Sequence, residues 1–269
     1  MSTIAAEKPP KAGRKSGPEW EARVDLAACY RLVNHYGMCD MHLNHISARV
    51  PGEPDHFLIN PFGMMYEEIT ASCLLEIDHD GHIIENPNPQ YTVNLPGFVI
   101  HSAIHRARPG IGCVLHTHTP AGMAIASLDC GLLPMTQTAM RFARVAYHDY
   151  EGVVVNIDEQ KRLVDNLGDC EVMIMRNHGL LAVGETISAA FASIVRLERA
   201  CQTQLMAMAA EGGSGAKIVL PSQEVIELSN RQLARAPSPD AAGKHRPQGW
   251  LEWPALRRML DRRDPSYQS

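Results

Sequence analysis

Hydrophobic positions along this chain change their period several times, and each change marks an element. Over residues 18–36, Trp20, Val24, Ala27, Ala28 and Leu32 recur at helical spacing, with Pro18 and Glu19 near the start and Gly37 past the end. Residues 45–50 alternate, and Phe57-Leu58-Ile59 follows a Pro/Gly turn, which predicts a β-hairpin. A second hairpin is signalled by Asp80-Gly81 between the apolar runs 74–78 and 82–84. Helical spacing returns from Pro96 and stops at Arg108-Pro109-Gly110. Two short apolar runs then end in histidines. Val114-Leu115 leads into His116-Thr117-His118, and Val172-Met173-Ile174-Met175 leads into Arg176-Asn177-His178-Gly179. Both read as buried strands.

Between these runs the pattern predicts helices over 121–128 and 158–167 and strands over 145–147 and 152–155. After His178 the chain turns through Leu181-Ala182-Val183-Gly184. A long helix over 186–210 follows, its stripe formed by Ile187, Ala190, Phe191, Ile194, Leu197, Cys201, Leu205 and Met208. Glu211-Gly212-Gly213-Ser214-Gly215 reads as a linker or frayed terminus, and 222–234 and 254–263 as helices. The order implies one α/β domain over 18–210 and a disordered, Pro- and Lys-containing tail over 1–17. Residues 211–269 form a partly helical extension, which Trp250 and Trp253 mark for docking on the core or on a neighbouring subunit.

Successive strand residues point to opposite faces, so His116 and His118 project together. With His178 they form a three-imidazole set that suits Zn²⁺ first, and Fe²⁺ or Mn²⁺ as well, with coordination positions left open. Open positions belong to a catalytic metal. Cys113, three residues before His116, falls on the opposite face and reads as core packing.

Composition narrows the partners. A 269-residue chain that is 45% hydrophobic buries one sizeable core, and its formal charge of −5 comes without a basic face, so neither nucleic acid nor a membrane surface is an expected partner. No apolar run reaches the roughly 20 residues that span a bilayer. The first 18 residues carry Lys8, Lys11, Arg14 and Lys15 without an apolar stretch, unlike a secretory signal. Seven isolated cysteines with no C-x-x-C imply reduced, buried thiols in a cytoplasmic protein.

Several segments, in order, resemble the class II aldolase/adducin head-domain family: Asn44-His45-Ile46-Ser47-Ala48-Arg49, Ile59-Asn60-Pro61-Phe62-Gly63, Glu68-Ile69-Thr70-Ala71-Ser72, Ala107-Arg108-Pro109, His116-Thr117-His118 and Asn177-His178-Gly179-Leu180-Leu181. The resemblance implies a three-layer α/β/α sandwich with a mostly antiparallel central sheet. It also implies a homotetramer with its active site near a subunit interface, and His116, His118 and His178 as ligands of one divalent metal ion per subunit. In the family's sugar-phosphate aldolases a glutamate at the start of the helix before H-x-H is the acid/base, preceded by two serines that hold the phosphate. Counted back without gaps from Arg108-Pro109, those positions are Leu95, Pro96 and Gly97. The carboxylate and both hydroxyls are missing, so a phosphorylated substrate is not expected.

Other groups remain for proton handling and binding. Tyr91 and Asn94, in the segment before that helix, are placed to reach the metal's open side. His101 and His105 share one helix face, either as a pair buried against the sheet or for proton transfer and support of a ligand histidine. His148, with Tyr147, lies in a polar connecting segment and is a further proton-transfer candidate. Arg141 and Arg144 offer planar forks for a carboxylate, and His45 lies in the segment whose family counterpart contacts substrate. Tyr91, His101 and His148 are thus the catalytic candidates, and His45, Asn94 and Arg141 the candidates for binding a small-molecule substrate. Three functions are compatible with these residues. One is a metal-dependent lyase that cleaves or decarboxylates a non-phosphorylated hydroxy- or keto-acid through a metal-stabilised enediolate. The others are a non-haem Fe²⁺ oxygenase on the same histidines and a non-catalytic, adducin-like interaction module.

Overall fold

The computed structural model describes residues 16–142, 144–152, 157–234 and 248–269. Its centre is an eight-stranded sheet built from β1 (His45–Val50), β2 (Glu53–Ile59), β3 (Leu75–Asp78), β4 (Ile83–Glu85), β5 (Cys113–Thr117), β6 (Ala146–His148), β7 (Val172–Met175) and β8 (Gly179–Gly184). The spatial order is β4-β3-β2-β1-β5-β8-β7-β6, antiparallel throughout except for the parallel β6–β7 pair. The helices are α1 (Pro18–His35), α2 (Leu95–Ala107), α3 (Pro120–Ala126), α4 (Gln137–Met140), α5 (Ile157–Leu167), α6 (Ile187–Ser214), α7 (Gln223–Ala234) and α8 (Glu252–Arg263).

Strand alternation divides the interior into two layers. Ile46, Ala48, Cys113, Leu115, Ile174, Leu180 and Ala182 pack with α1, α3 and α6 on one face. Val114, Met173, Leu181 and Val183 pack with Ile100 and Ile104 of α2 and Leu163 and Leu167 of α5 on the other. This is a mixed α/β fold with one central sheet flanked by helices. The second face carries an unusual feature at its middle. His45 pairs across the strands with His116, and Ser47 with Val114, so both of these polar side chains point at α2.

Sequence periodicity misreads several places. Residues 181–184 are not a turn; they complete β8, a central strand whose hydrogen bonds run to both β5 and β7. Every β8 residue is buried, so its sequence has no polar alternation to mark it as a strand. Helix α6 continues through the expected linker to Ser214, and Gly215, at φ 72°, ends it in the left-handed conformation. The short α4 has too few residues to show a period. Tyr147 and His148 belong to β6, and His148 is buried, so the polar segment expected there as a connection starts later. Of the seven thiols, all free, Cys29, Cys73, Cys113 and Cys201 are buried, Cys39 and Cys170 are half-buried, and Cys130 is exposed. The strand expected over 152–155 falls mostly outside the described residues. No helix among those described is long and apolar enough to cross a membrane.

Beyond α6 the chain returns to its own core. Trp253 packs on Phe191 and donates its indole N–H to Asp25 Oδ1 at 3.0 Å, Tyr267 is fully buried, and Ser72 N–H donates to the Ser269 carbonyl at 2.9 Å. Replacing Tyr267 with alanine is expected to lower the unfolding free energy by about 3 kcal/mol, the usual cost of truncating a buried aromatic. Urea titration checks this, and a loss under about 1 kcal/mol would show that the terminus contributes little to the fold.

Candidate metal centre

Three strand ends position the histidines. His116 lies in β5, His118 one residue beyond it, and His178 in the turn between β7 and β8. That turn needs a left-handed residue, supplied by Asn177 at φ 55°, one of the few residue types that tolerate the conformation. Gly179 follows because β8 runs so close to β5 that a Cβ there would strike the Thr117 carbonyl.

The Nε2 atoms converge. They lie 2.8 Å apart for His116–His118, 3.0 Å for His118–His178 and 3.3 Å for His116–His178. Their opposite nitrogens determine what the cluster could hold. His116 donates its Nδ1–H to the Leu180 carbonyl at 2.9 Å, and His118 Nδ1 faces Asp40 Oδ2 at 3.3 Å. A carbonyl and a carboxylate only accept, so both rings carry their proton on Nδ1 and present bare lone pairs at Nε2. Two lone pairs facing each other at 2.8 Å repel unless a cation lies between them. A tetrahedral ion about 2.05 Å from each nitrogen would hold them about 3.3 Å apart, so the donor set fits with an adjustment of a few tenths of an ångström. Burial, then the neighbouring His118 and His148, pushes His178 down to about 4, and burial holds His116 well below the ordinary imidazole range. Burial also lowers His118, against the opposing pull of Asp40, so all three favour the neutral form that ligation requires.

Of the other sequence-predicted residues, the structure gathers some and separates others. His45 stacks on His116, with ring centroids 5.1 Å apart. His101 is fully buried between His45 and Ser47, and bonds neither to a triad histidine nor to solvent. His148 is buried with Glu159 at 3.3 Å and Asn166 at 2.9 Å, in a narrow cleft it shares with Tyr150 and His178. Asn94 is the N-cap of α2 and is half-buried, and Tyr91 lies beside Gly63. Arg141 instead donates to Gln248 at 2.9 Å and lines a separate cavity of about 210 Å³ with Arg196 and Arg199. Arg144 is exposed, 3.8 Å from Asp169.

Sequence inspection overlooks Asp40, Glu159 and Ser47. Asp40 and Glu159 are 78 and 11 residues from the histidines they face, with no motif linking them. Ser47 had a signal, since strand alternation sets it on the same face as His45 and opposite the His101/His105 helix face. Two other groups have metal-like spacing. Glu19, Glu76 and Glu85 all face the Arg23 guanidinium, and Asp78, Asp80 and His82 lie on the β3–β4 turn, where Asp78 accepts from the other two.

Comparison with known proteins agrees with the fold. The sequence profile of the Class II Aldolase and Adducin N-terminal domain matches residues 24–205. An aldolase II superfamily protein from Pseudomonas syringae superposes with a TM-score of 0.84 at 44% identity, over 94% of this chain and 97% of that one. An L-fuculose 1-phosphate aldolase from Glaciozyma antarctica PI12 superposes with a TM-score of 0.80 at 28% identity, over 97% of both chains. Alpha-adducin of Rattus norvegicus is 41% identical over 245 residues, which is 89% of this chain and 33% of that protein.

The buried imidazoles predict a pH dependence. Burial, then Arg49 and His79, lowers His105 to about 3, and burial lowers His45 and His101 well below 6.5. In the unfolded chain these groups bind protons from pH about 6.5 downward, while the folded protein does not. Stability is therefore full above pH about 6.5 and falls as the pH drops toward 3. His105→Gln should flatten that fall by one proton's linkage in urea titrations across the window; an unchanged slope would contradict the buried neutral state.

Proposed function

Because the chain belongs to the class II aldolase and adducin head-domain family, we propose that it is a metal-dependent carbon–carbon lyase acting on a non-phosphorylated hydroxy- or keto-acid. The observation that carries this reading is the pair of lone pairs at 2.8 Å on His116 and His118, backed by acceptor-only partners and completed by His178. One divalent ion, Zn²⁺ first, fits that donor set. Held by His116, His118 and His178, such an ion would supply Lewis acidity that offsets negative charge developing on the substrate.

The chain's own residues set the substrate class. The start of α2 presents Leu95, Pro96 and Gly97, which offer neither a hydroxyl nor a charge to a phosphate, and Leu95 is exposed. Asn94, with no side-chain cap bond of its own, and Tyr91 precede that helix and are the polar groups we assign to the substrate. The His148–Glu159 pair, behind His178, is the proton store on the opposite flank. Retro-aldol cleavage needs a base to start, whereas decarboxylation needs only an electron sink and a proton donor to finish, so a site without the family carboxylate favours decarboxylation. By the family's habit the assembly is a homo-oligomer with the site near a subunit interface. The identity to alpha-adducin supports a second reading, a non-catalytic interaction module, for which a cation-demanding triad has no use.

Elemental analysis of anaerobically purified protein separates these readings. Wild type and Cys113→Ser should each carry one zinc or manganese per subunit, His116→Ala next to none, and hydroxy- and keto-acids should lose a carbon fragment only with loaded protein. Iron instead would direct the assay to O₂ uptake and an oxygenase. Wild type without any metal would overturn the lyase and leave the interaction module.

A further inference from the structure

Gly97 stands where the family's sugar-phosphate aldolases carry their glutamate, and the space its side chain would fill is already taken. A Cβ at residue 97 would lie 2.5 Å from His45 Cδ2 and 2.9 Å from His45 Nε2, an approach that real side chains do not make. The imidazole arrives from β1, across the strand pair from His116, and the absence of a side chain in the first turn of α2 is what admits it. Residue 97 has thus not merely lost a carboxylate. The structure exchanges it for an imidazole reaching in from another element.

Behind His45 runs a continuous buried series of hydrogen bonds. His45 Nδ1 lies 2.7 Å from His101 Nε2, His101 Nδ1 lies 2.5 Å from Ser47 Oγ, and Ser47 Oγ lies 2.8 Å from His105 Nε2. All four residues are at most 3% exposed. With no carboxylate among these bonds to offset a buried charge, each ring carries one proton and the series must point one way or the other. Its far end decides the direction. His105 Nδ1 is buried without a hydrogen-bond partner, and the Ile111 carbonyl, the one backbone acceptor favouring a proton there, makes no hydrogen bond of good geometry to it. A buried N–H left unpaired is the costlier choice and the rarer one in proteins. The proton of His105 therefore belongs on Nε2, donated to Ser47. Ser47 then donates to His101 Nδ1, and His101 Nε2–H to His45 Nδ1. His45 is left with its proton on Nε2, the nitrogen with no other hydrogen bond among the described residues.

We propose that His45 is a neutral N–H donor to an anionic oxygen of the substrate, and that His101, Ser47 and His105 are positioning residues that lock it in that tautomer. This rests on the lyase reading for the presence of substrate and deepens it in one respect. A glutamate at residue 97 accepts protons and repels anions, whereas an imidazole N–H welcomes a carboxylate or an enolate oxygen. The exchange suits a substrate that is itself an acid and disfavours an uncharged sugar. His105 has no outlet for a proton, so the series fixes a tautomer and does not conduct.

The test has two readouts. In ¹⁵N-histidine-labelled, metal-free protein, NMR should show His45 protonated on Nε2 and bare on Nδ1, and Ser47→Ala should shift His45 toward the other tautomer. With zinc loaded, oxalate serves as the probe, as a chelating dianion, and its affinity is measured by calorimetry. Ser47→Ala and Gly97→Ala should each weaken oxalate about tenfold or more, the worth of a hydrogen bond to a charged group, with zinc content unchanged. Gly97→Ala/His45→Ala should lose little beyond His45→Ala, since both changes act through one ring. His45→Gln, which keeps an N–H donor, should recover part of the affinity that His45→Leu loses. A bare Nε2 on His45 in the wild-type spectrum, or oxalate affinities indifferent to Ser47 and Gly97, overturns the proposal. Failure of zinc to bind would sink the lyase reading instead, and the metal-free spectrum would still decide the tautomer.

Discussion

Two imidazole lone pairs held 2.8 Å apart are the constraint around which the rest of this site is arranged. They face each other because the Leu180 carbonyl and the Asp40 carboxylate take the protons on the far nitrogens. The Leu180 carbonyl belongs to β8, whose neighbour β5 carries His116, so the sheet itself sets the tautomer of one ligand. Asp40 does the same for His118 from the connection between α1 and β1. The fold supports this arrangement by placing the strand ends against one another. An Asn in the left-handed conformation and a Gly under a carbonyl let His178 complete the ring.

The two faces of the sheet differ in the work they do. On the α1/α3/α6 face Cys113 sits among apolar side chains, with burial driving its thiol far above the ordinary range, which is the state of an inert packing residue. The α2 face interrupts its apolar packing with three histidines and a serine between β1 and α2. Burying that many polar atoms is unfavourable unless nearly all are bonded to one another, and apart from His105 Nδ1 and the outward nitrogen of His45 they are. The cluster stands beside the triad, and Gly97 is the residue that makes room for it.

Much of this was legible in the sequence, for reasons that can be traced residue by residue. The H-x-H run ends a strand, so period-two alternation alone predicts convergent His116 and His118. The α2 histidines are four residues apart, and helical spacing places them on one face. β8 was unreadable because both of its faces are buried, which erases alternation. The direction of Arg141 depends on Gln248, more than a hundred residues on, and no local pattern encodes that contact. Asp40 and Glu159 escaped for the same reason. The position of Gly97 could be counted, but its meaning could not, because a missing side chain says nothing about which neighbour occupies the space.

The central claim is that the three Nε2 atoms share one cation. Diffraction from crystals grown with zinc, recorded on both sides of the zinc absorption edge, addresses it directly. The account predicts a single anomalous peak per subunit, about 2.0–2.1 Å from Nε2 of His116, His118 and His178, with the Nδ1 atoms of His116 and His118 still on Leu180 and Asp40. A peak elsewhere, or rings turned to offer Nδ1, or no peak at all, would contradict it.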